Sequence, residues 1–304
     1  MKKTLLATAI LAGLVSATAQ SATVYDQDGT TLKIGGRAEV RAEFKDTGDG
    51  SVEDKSRARI NFGGKTQITD NLTGFGFMEY QIEPGETVDN RYLFAGFGTS
   101  IGDFSYGRQD TANVQVSDMT DIASVHSGYQ QVFDASSDKE NTTFLYSGTF
   151  ADSVTVQANF TGSDEDDQDS VAISALYSSD FGLDLGIAHT DAQTDETQTT
   201  IAAAYSVGDF YGAASYATGD AFNEADEISD MTSIEIALQY KFTKQFRMIG
   251  IIAQQEIDDV DTADFYAVEG QYRFNKLIRT YVTYQFNQID DAEDSLVAGI
   301  RYNF

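Results

Sequence analysis

Cysteine is absent from this chain of 304 residues, and proline occurs once, at Pro84. Without a thiol there is no thiolate catalysis, no cysteine-based zinc site and no disulfide staple. Histidine is almost absent too, occurring only at His126 and His189. Basic residues are scarce: 20 Lys and Arg stand against 48 Asp and Glu, for a formal charge of −28. So acidic a chain does not seek nucleic acid, whose affinity comes mainly from Lys and Arg on the phosphates. It is also unlike a disordered acidic tail, because 12% of its residues are aromatic and 41% hydrophobic.

Long hydrophobic runs are missing after the first residues. Lys2 and Lys3 precede an apolar run over 5–15, interrupted by Thr8 and Gly13, and small residues follow at Ala17, Ala19, Ser21 and Ala22. This reads as a secretory signal peptide over 1–21, too short to span a membrane. Small residues at −3 and −1 suit cleavage after Ser21, with cleavage after Ala19 as the alternative. The exported part is then a single domain, 22–304, two charges more negative than the whole chain. Past it no apolar stretch reaches about 18 residues, so no transmembrane helix is expected.

Alternation with period 2 recurs instead, the mark of strands with two different faces. Leu32, Ile34, Gly36, Ala38, Val40, Ala42 and Phe44 alternate with Lys33, Gly35, Arg37, Glu39, Arg41, Glu43 and Lys45. Ile234, Ile236, Leu238, Tyr240 and Phe242 alternate with Glu235, Ala237, Gln239 and Lys241. The last segment sets Leu296, Ala298, Ile300, Tyr302 and Phe304 against Val297, Gly299, Arg301 and Asn303.

A soluble sandwich also alternates, so the connections decide. Short ones near 69–71, 98–102, 151–152, 179–180, 208–209, 243–245 and 275–277 take turns with longer ones at 46–54, 84–90, 164–169, 191–196, 220–230, 256–264 and 290–294. All of the longer ones except 84–90 together hold 26 of the 48 acidic residues and no Lys or Arg. In an up-and-down meander every second connection lies at the same end, so the acidic charge collects there. Short turns at one end and long loops at the other are expected of an outer-membrane barrel. Hairpin counting gives sixteen antiparallel strands and one long connection at roughly 109–138 where alternation fails. The expectation is an all-β transmembrane barrel, closed because lipid leaves no unpaired strand edge satisfied. Tyr80, Tyr106, Tyr146, Tyr177, Tyr205, Tyr240, Tyr272, Tyr284 and Tyr302 then supply an interfacial girdle.

Several motifs in order carry a resemblance. They are Ala22-Thr-Val-Tyr-Asp-Gln-Asp-Gly29, Phe62-Gly-Gly-Lys-Thr-Gln-Ile-Thr-Asp-Asn-Leu-Thr-Gly-Phe-Gly76, Met78-Glu-Tyr80, Phe94-Ala-Gly-Phe97, Gly102-Asp-Phe-Ser-Tyr-Gly-Arg108, Thr280-Tyr-Val282, Asn287-Gln-Ile-Asp290 and the terminal Phe304. From end to end the chain resembles the general diffusion porins of Gram-negative bacteria. The resemblance implies a homotrimer of sixteen-stranded barrels in the cell outer membrane, passing ions and small hydrophilic solutes. It also implies lipopolysaccharide and outer-membrane lipid as surroundings, and barrel-assembly machinery that reads Phe304. A third loop folded into the lumen would set acidic groups against a basic wall, whose transverse field orients dipolar solutes. Carried over by position, the wall is Arg37, Arg59, Arg91 and Lys139, with Glu79 also facing the lumen. The loop acids are Asp121 and Asp118. Ser124-Val-His-Ser-Gly128 departs from the Pro-Glu-Phe-Gly-Gly of enterobacterial relatives, placing Val125 where they carry a second loop carboxylate. The 84–90 connection is shorter than the latch by which some relatives grip a neighbour.

No cofactor or discrete metal site is expected, since Asp26-Gln-Asp-Gly29 and 46–54 lack the spacing of a calcium loop. Diffuse cation binding by the acidic loops suits them better. Catalysis is not expected, because neither histidine has a nucleophile motif beside it. An adhesive barrel remains the third reading, as acidic loops serve either role. The acidic vestibule favours a weak to moderate cation preference, opposed by the basic wall.

Overall fold

The computed structural model describes residues 21–45 and 52–304. The leader expected over 1–21 lies outside the described residues apart from Ser21, as does most of the acidic 46–54 segment. The described chain is a run of antiparallel strands: β1 (Ala22–Gln27), β2 (Thr30–Lys45), β3 (Glu53–Asp54), β4 (Arg57–Thr69), β5 (Leu72–Ile82), β6 (Asp89–Thr99), β7 (Gly102–Gln109), β8 (Glu140–Phe150), β9 (Val154–Thr161), β10 (Ser170–Ser178), β11 (Leu183–Ala192), β12 (Thr197–Val207), β13 (Phe210–Phe222), β14 (Ile228–Lys241), β15 (Phe246–Ile257), β16 (Val260–Arg273), β17 (Ile278–Asn287) and β18 (Ser295–Asn303).

Each strand pairs with its sequence neighbour, and β18 returns to β2, with Ser295 opposite Lys45 and Asn303 opposite Arg37. That pairing closes the sheet into a sixteen-stranded barrel, in which two short pieces are extensions of full strands. β1 takes up the edge of β2 that β18 leaves, beginning with Ala22 opposite Ile34. Between them Phe304 and Gly36 exchange backbone hydrogen bonds of 3.0 Å in both directions. β3 prolongs the line of β4 against Ala42 and Glu43. Closure removes every sheet edge, as a barrel in lipid requires.

The period-2 reading places faces correctly along most strands. Val40, Ile234, Leu238, Tyr240 and Ile300 point outward and are exposed, while Glu39, Glu235 and Arg301 on the other parity are buried in the lumen. Outward aromatics cluster near the short turns as Tyr240–Phe242 and Tyr272–Phe274, with ring centroids 4.9 and 5.0 Å apart.

The acidic connections are tighter than the composition suggests. The 256–264 segment turns at Asp258 and Asp259 alone, both with positive φ (56° and 59°). That is the two-residue hairpin whose twist matches its strands. The 220–230 segment likewise shrinks to residues 223–227. Backbone pairing continues through acidic residues there because both faces of those hairpins tolerate water, a circumstance that alternation cannot register.

The long connection, 110–139, folds into the barrel. It holds one helical turn, α1 (Val114–Ser117), and a 3-10 turn at Asp134–Ser136. Val116 and Met119 pack on a patch of small lumenal residues, Ala188, Ala202, Ala204 and Ala213. Ile122, Ala123 and Tyr129 pack on Ala237, Ile249, Ile251, Phe265 and their neighbours on β14 to β16. The lumen wall is therefore apolar where the loop lies on it. Burial of that size is worth about 1.5–3 kcal/mol per large side chain, enough to hold the loop across the pore.

Candidate functional site

The inward loop divides the lumen into two charged regions. On the wall side, Arg37 from β2, Arg59 from β4 and Arg91 from β6 line a cavity of about 410 Å³ together with Arg279 and Arg301 from β17 and β18. On the loop side, Asp110, Asp118, Asp121 and Asp138 line a second space of about 340 Å³. Tyr92 borders both, and its hydroxyl donates to Asp110 Oδ1 at 2.8 Å.

Two buried carboxylates organise the arginines. Glu79, on β5, accepts from Arg91 Nε at 3.0 Å and Asn61 Nδ2 at 3.2 Å, with an Arg59 terminal nitrogen 3.7 Å away. Glu39, on β2 and only 1% exposed, accepts from Arg57 Nε at 2.9 Å, Arg301 at 2.9 and 2.6 Å, and the Tyr281 hydroxyl at 2.9 Å. A terminal nitrogen of Arg37 lies 3.7 Å from the same carboxylate. A buried ion needs this density of partners to offset its lost hydration.

Arg91 reaches Glu79 by a local irregularity. Glu79 pairs with Tyr92 and Tyr80 with Asn90, so Arg91 is the extra residue of a bulge. Bulges re-aim side chains, which is why the alternation Tyr92, Phe94, Gly96 gives no clean face for Arg91. At the seam between wall and loop, Lys139 is ion-paired to Asp138, whose carboxylate lies 4.0 Å from Arg91.

Two further carboxylates hold the loop. Glu235 accepts from the Gly128 N–H at 3.1 Å and the Tyr129 N–H at 2.7 Å. Glu269 accepts from the Ser124 N–H at 2.9 Å and its hydroxyl at 3.1 Å. Ser124 lies in the segment that departs from the enterobacterial pattern, and Val125 beside it is half-buried.

The loop acids do not titrate as free carboxyls. Asp118 is reached by water, but the surrounding barrel wall and then the charges of Asp110, Asp121 and Asp138 push its carboxyl well above the usual range. Enclosure raises Asp121 and Asp110 as well, against the Ser127 and Tyr92 hydrogen bonds that lower them. The same enclosure, then the neighbouring Arg91, lowers the Lys139 ammonium against its attraction to Asp138. His126 is held down to about 4 by burial, with its ring edge-on to Phe265 at 6.2 Å and no partner for Nε2. His189 is exposed on the opposite, outward parity and meets the Thr199 hydroxyl at 2.9 Å.

The structure thus gathers Arg37, Arg59, Arg91 and Glu79 on one wall and sets Asp118 and Asp121 on the facing loop, with Lys139 between. The reading from sequence passed over Glu39, Arg57, Arg279, Arg301, Glu235, Glu269, Asp110 and Asp138. Their parity was available: Glu39 shares the face of Arg37, and Arg301 the face of Val297 and Gly299. What parity lacks is neighbourhood, since Arg301 meets Glu39 only through closure of the barrel.

Comparison with known proteins agrees with this architecture. The Gram-negative porin family model matches residues 7–304. Outer membrane protein U of Vibrio parahaemolyticus is 32% identical over 351 residues, covering all of both chains. Among solved structures, Salmonella typhi OmpF in complex with daunomycin superposes with a TM-score of 0.83 at 24% identity, over 93% of this chain and 100% of that one. OmpT of Vibrio cholerae in its trimer form gives 0.75 at 18% identity, over 91% and 100%.

Proposed function

This chain belongs to the Gram-negative porin family, an outer-membrane channel family, and from that premise we propose how its pore selects. Ions and small hydrophilic solutes diffuse through the lumen past a constriction between Asp118 and Asp121 on the loop and Arg37, Arg59, Arg91 and Lys139 on the wall. The observation that carries this is the segregation of charge: four aspartates line the space on the loop side and six arginines line the cavity on the barrel wall. Opposed charges across a narrow aqueous gap orient dipolar solutes and disfavour bulky apolar ones. The acidic hairpins concentrate cations at the outer mouth, giving a weak to moderate cation preference that the arginine wall moderates.

The same reading includes export by a signal peptide cleaved after Ser21 and assembly as a homotrimer. Support for the trimer lies on the outer face, where Gly64, Gly76 and Ala95 stand in one cross-strand row and leave a smooth strip for a neighbouring barrel. The exposed terminal Phe304 ring suits recognition by barrel-assembly machinery, and the acidic rim suits divalent cations shared with lipopolysaccharide.

Single-channel recording in a planar bilayer, with zero-current potential under a salt gradient, tests the reading. Openings in groups of three with a cation-side potential are expected, and R37E, R59E and K139E should each move that potential further to the cation side. Folded protein without conductance would favour an adhesive barrel, and unmoved selectivity in all three variants would remove the constriction assignment.

A further inference from the structure

Arg279 and Arg301 fall outside the basic wall that the resemblance supplies, and their placement is electrostatically costly. Register sets Arg273 of β16 directly opposite Arg279 of β17, and Arg279 directly opposite Arg301 of β18. Like charges in directly opposed positions repel. Arg301 is offset by Glu39, but among the described residues neither Arg273 nor Arg279 has a carboxylate within 4.0 Å. Arg279 Nε and Arg37 Nε are buried without a hydrogen-bond partner.

These groups converge on the 410 Å³ cavity, whose lining holds six arginines and Lys276 against Glu79 and the C-terminal residue Phe304. Its volume falls within the range of small-molecule sites. The cavity lies toward the short-turn end of the lumen, beside the 274–277 turn and the C-terminus. In a chain with so few basic residues, this is a concentration of guanidinium in which Glu39 and Glu79 compensate Arg37, Arg301, Arg59 and Arg91 but not Arg273 and Arg279.

We propose that Arg37, Arg279 and Arg301, with Arg273 at the rim, form a binding site for the phosphoryl group of small solutes at the inner end of the pore. Guanidinium forks match phosphate oxygens bidentately and stay charged. A dianion bound there relieves the repulsion between Arg273, Arg279 and Arg301. A solute that passes the acidic mouth is then held briefly before release, as a weak site within a channel requires. The proposal rests on the porin reading for its physiological role but not for its existence.

The test uses the purified full-length channel with inorganic phosphate at about pH 8, where it is largely a dianion. Phosphate added to either side of a bilayer in constant chloride should reduce unit conductance in a saturable manner. R279Q should raise the half-blocking concentration about tenfold or more, the effect of losing one charge-assisted contact. R279K, which keeps the charge and loses the fork, should fall between. Glycerol phosphate should block as phosphate does, whereas glycerol should not. Equilibrium dialysis of labelled phosphate against detergent-solubilised wild type and R279Q, both checked for heat-modifiable folding, reads the site without conduction. Binding lost in R279Q without any conductance would keep the site and sink the porin reading. Conduction with equal phosphate response in wild type and R279Q, or no phosphate binding by dialysis, would overturn the site and leave the porin reading standing.

Discussion

Met119 of the inward loop lies against Gly186 of β11 so closely that a Cβ on that glycine would stand 2.8 Å from Met119 Cε. It would also meet both methyls of Val116, at 3.0 and 3.1 Å. The absence of a side chain at one wall position thus fixes how near the loop approaches β10 to β13, and with it how much lumen remains open.

Replacing Gly186 by Leu should push the loop off the wall and into the pore. Overpacking of this kind costs about 1–3 kcal/mol. Unit conductance should fall while the barrel still shows heat-modifiable mobility, and unchanged conductance would mean that the loop position is set elsewhere.

Glu235 is the main latch of the loop tip, receiving the Gly128 and Tyr129 N–H groups. Hydrogen bonds to a charged group contribute about 1.5–3 kcal/mol. E235A should therefore free the tip and raise open-channel noise and spontaneous closures, with E235Q intermediate. Recordings at fixed voltage compare the three.

Selectivity should titrate above the ordinary Asp range of about 3.9, because Asp118, Asp121 and Asp110 are all raised by enclosure. As pH falls from neutral these groups take up protons early, the loop loses negative charge, and cation preference declines. His126 adds no charge until about pH 4. A carboxyl raised on folding costs stability while charged, and the cost is relieved as pH falls through its raised value. Zero-current potentials across the pH range should show this decline in wild type and a flatter profile in D118N.

Removing Glu39 should damage the fold more than removing any loop acid. Its carboxylate compensates Arg57, Arg301 and, at 3.7 Å, Arg37. Breaking a buried ionic cluster on one side costs about 3–5 kcal/mol. E39A should lower the temperature at which the barrel unfolds in detergent, whereas D118N, although it too shifts selectivity toward anions, should leave that temperature unchanged.

The sorting of short turns and longer acidic connections, by itself, separated a barrel from a sandwich, and alternation along each strand determined which residues face lipid and which face water. That holds because strand side chains point to opposite faces with a period of two, whatever the rest of the molecule does. The order of the connections gathered acidic hairpins at one end, and alternation placed Arg37, Arg59 and Glu39 in the lumen. It did not place Arg91, whose aim depends on a bulge defined only against the partner strand. Nor did it explain Ile249 and Ile251, apolar on the lumenal parity, since their partner is a loop over a hundred residues away in sequence. Tertiary structure alone decided that Arg301 meets Glu39, that Arg273, Arg279 and Arg301 stand abreast, and that Met119 rests on Gly186. Each of these is a neighbourhood created by register and closure, and electrostatic energy depends on such distances rather than on which face a residue occupies.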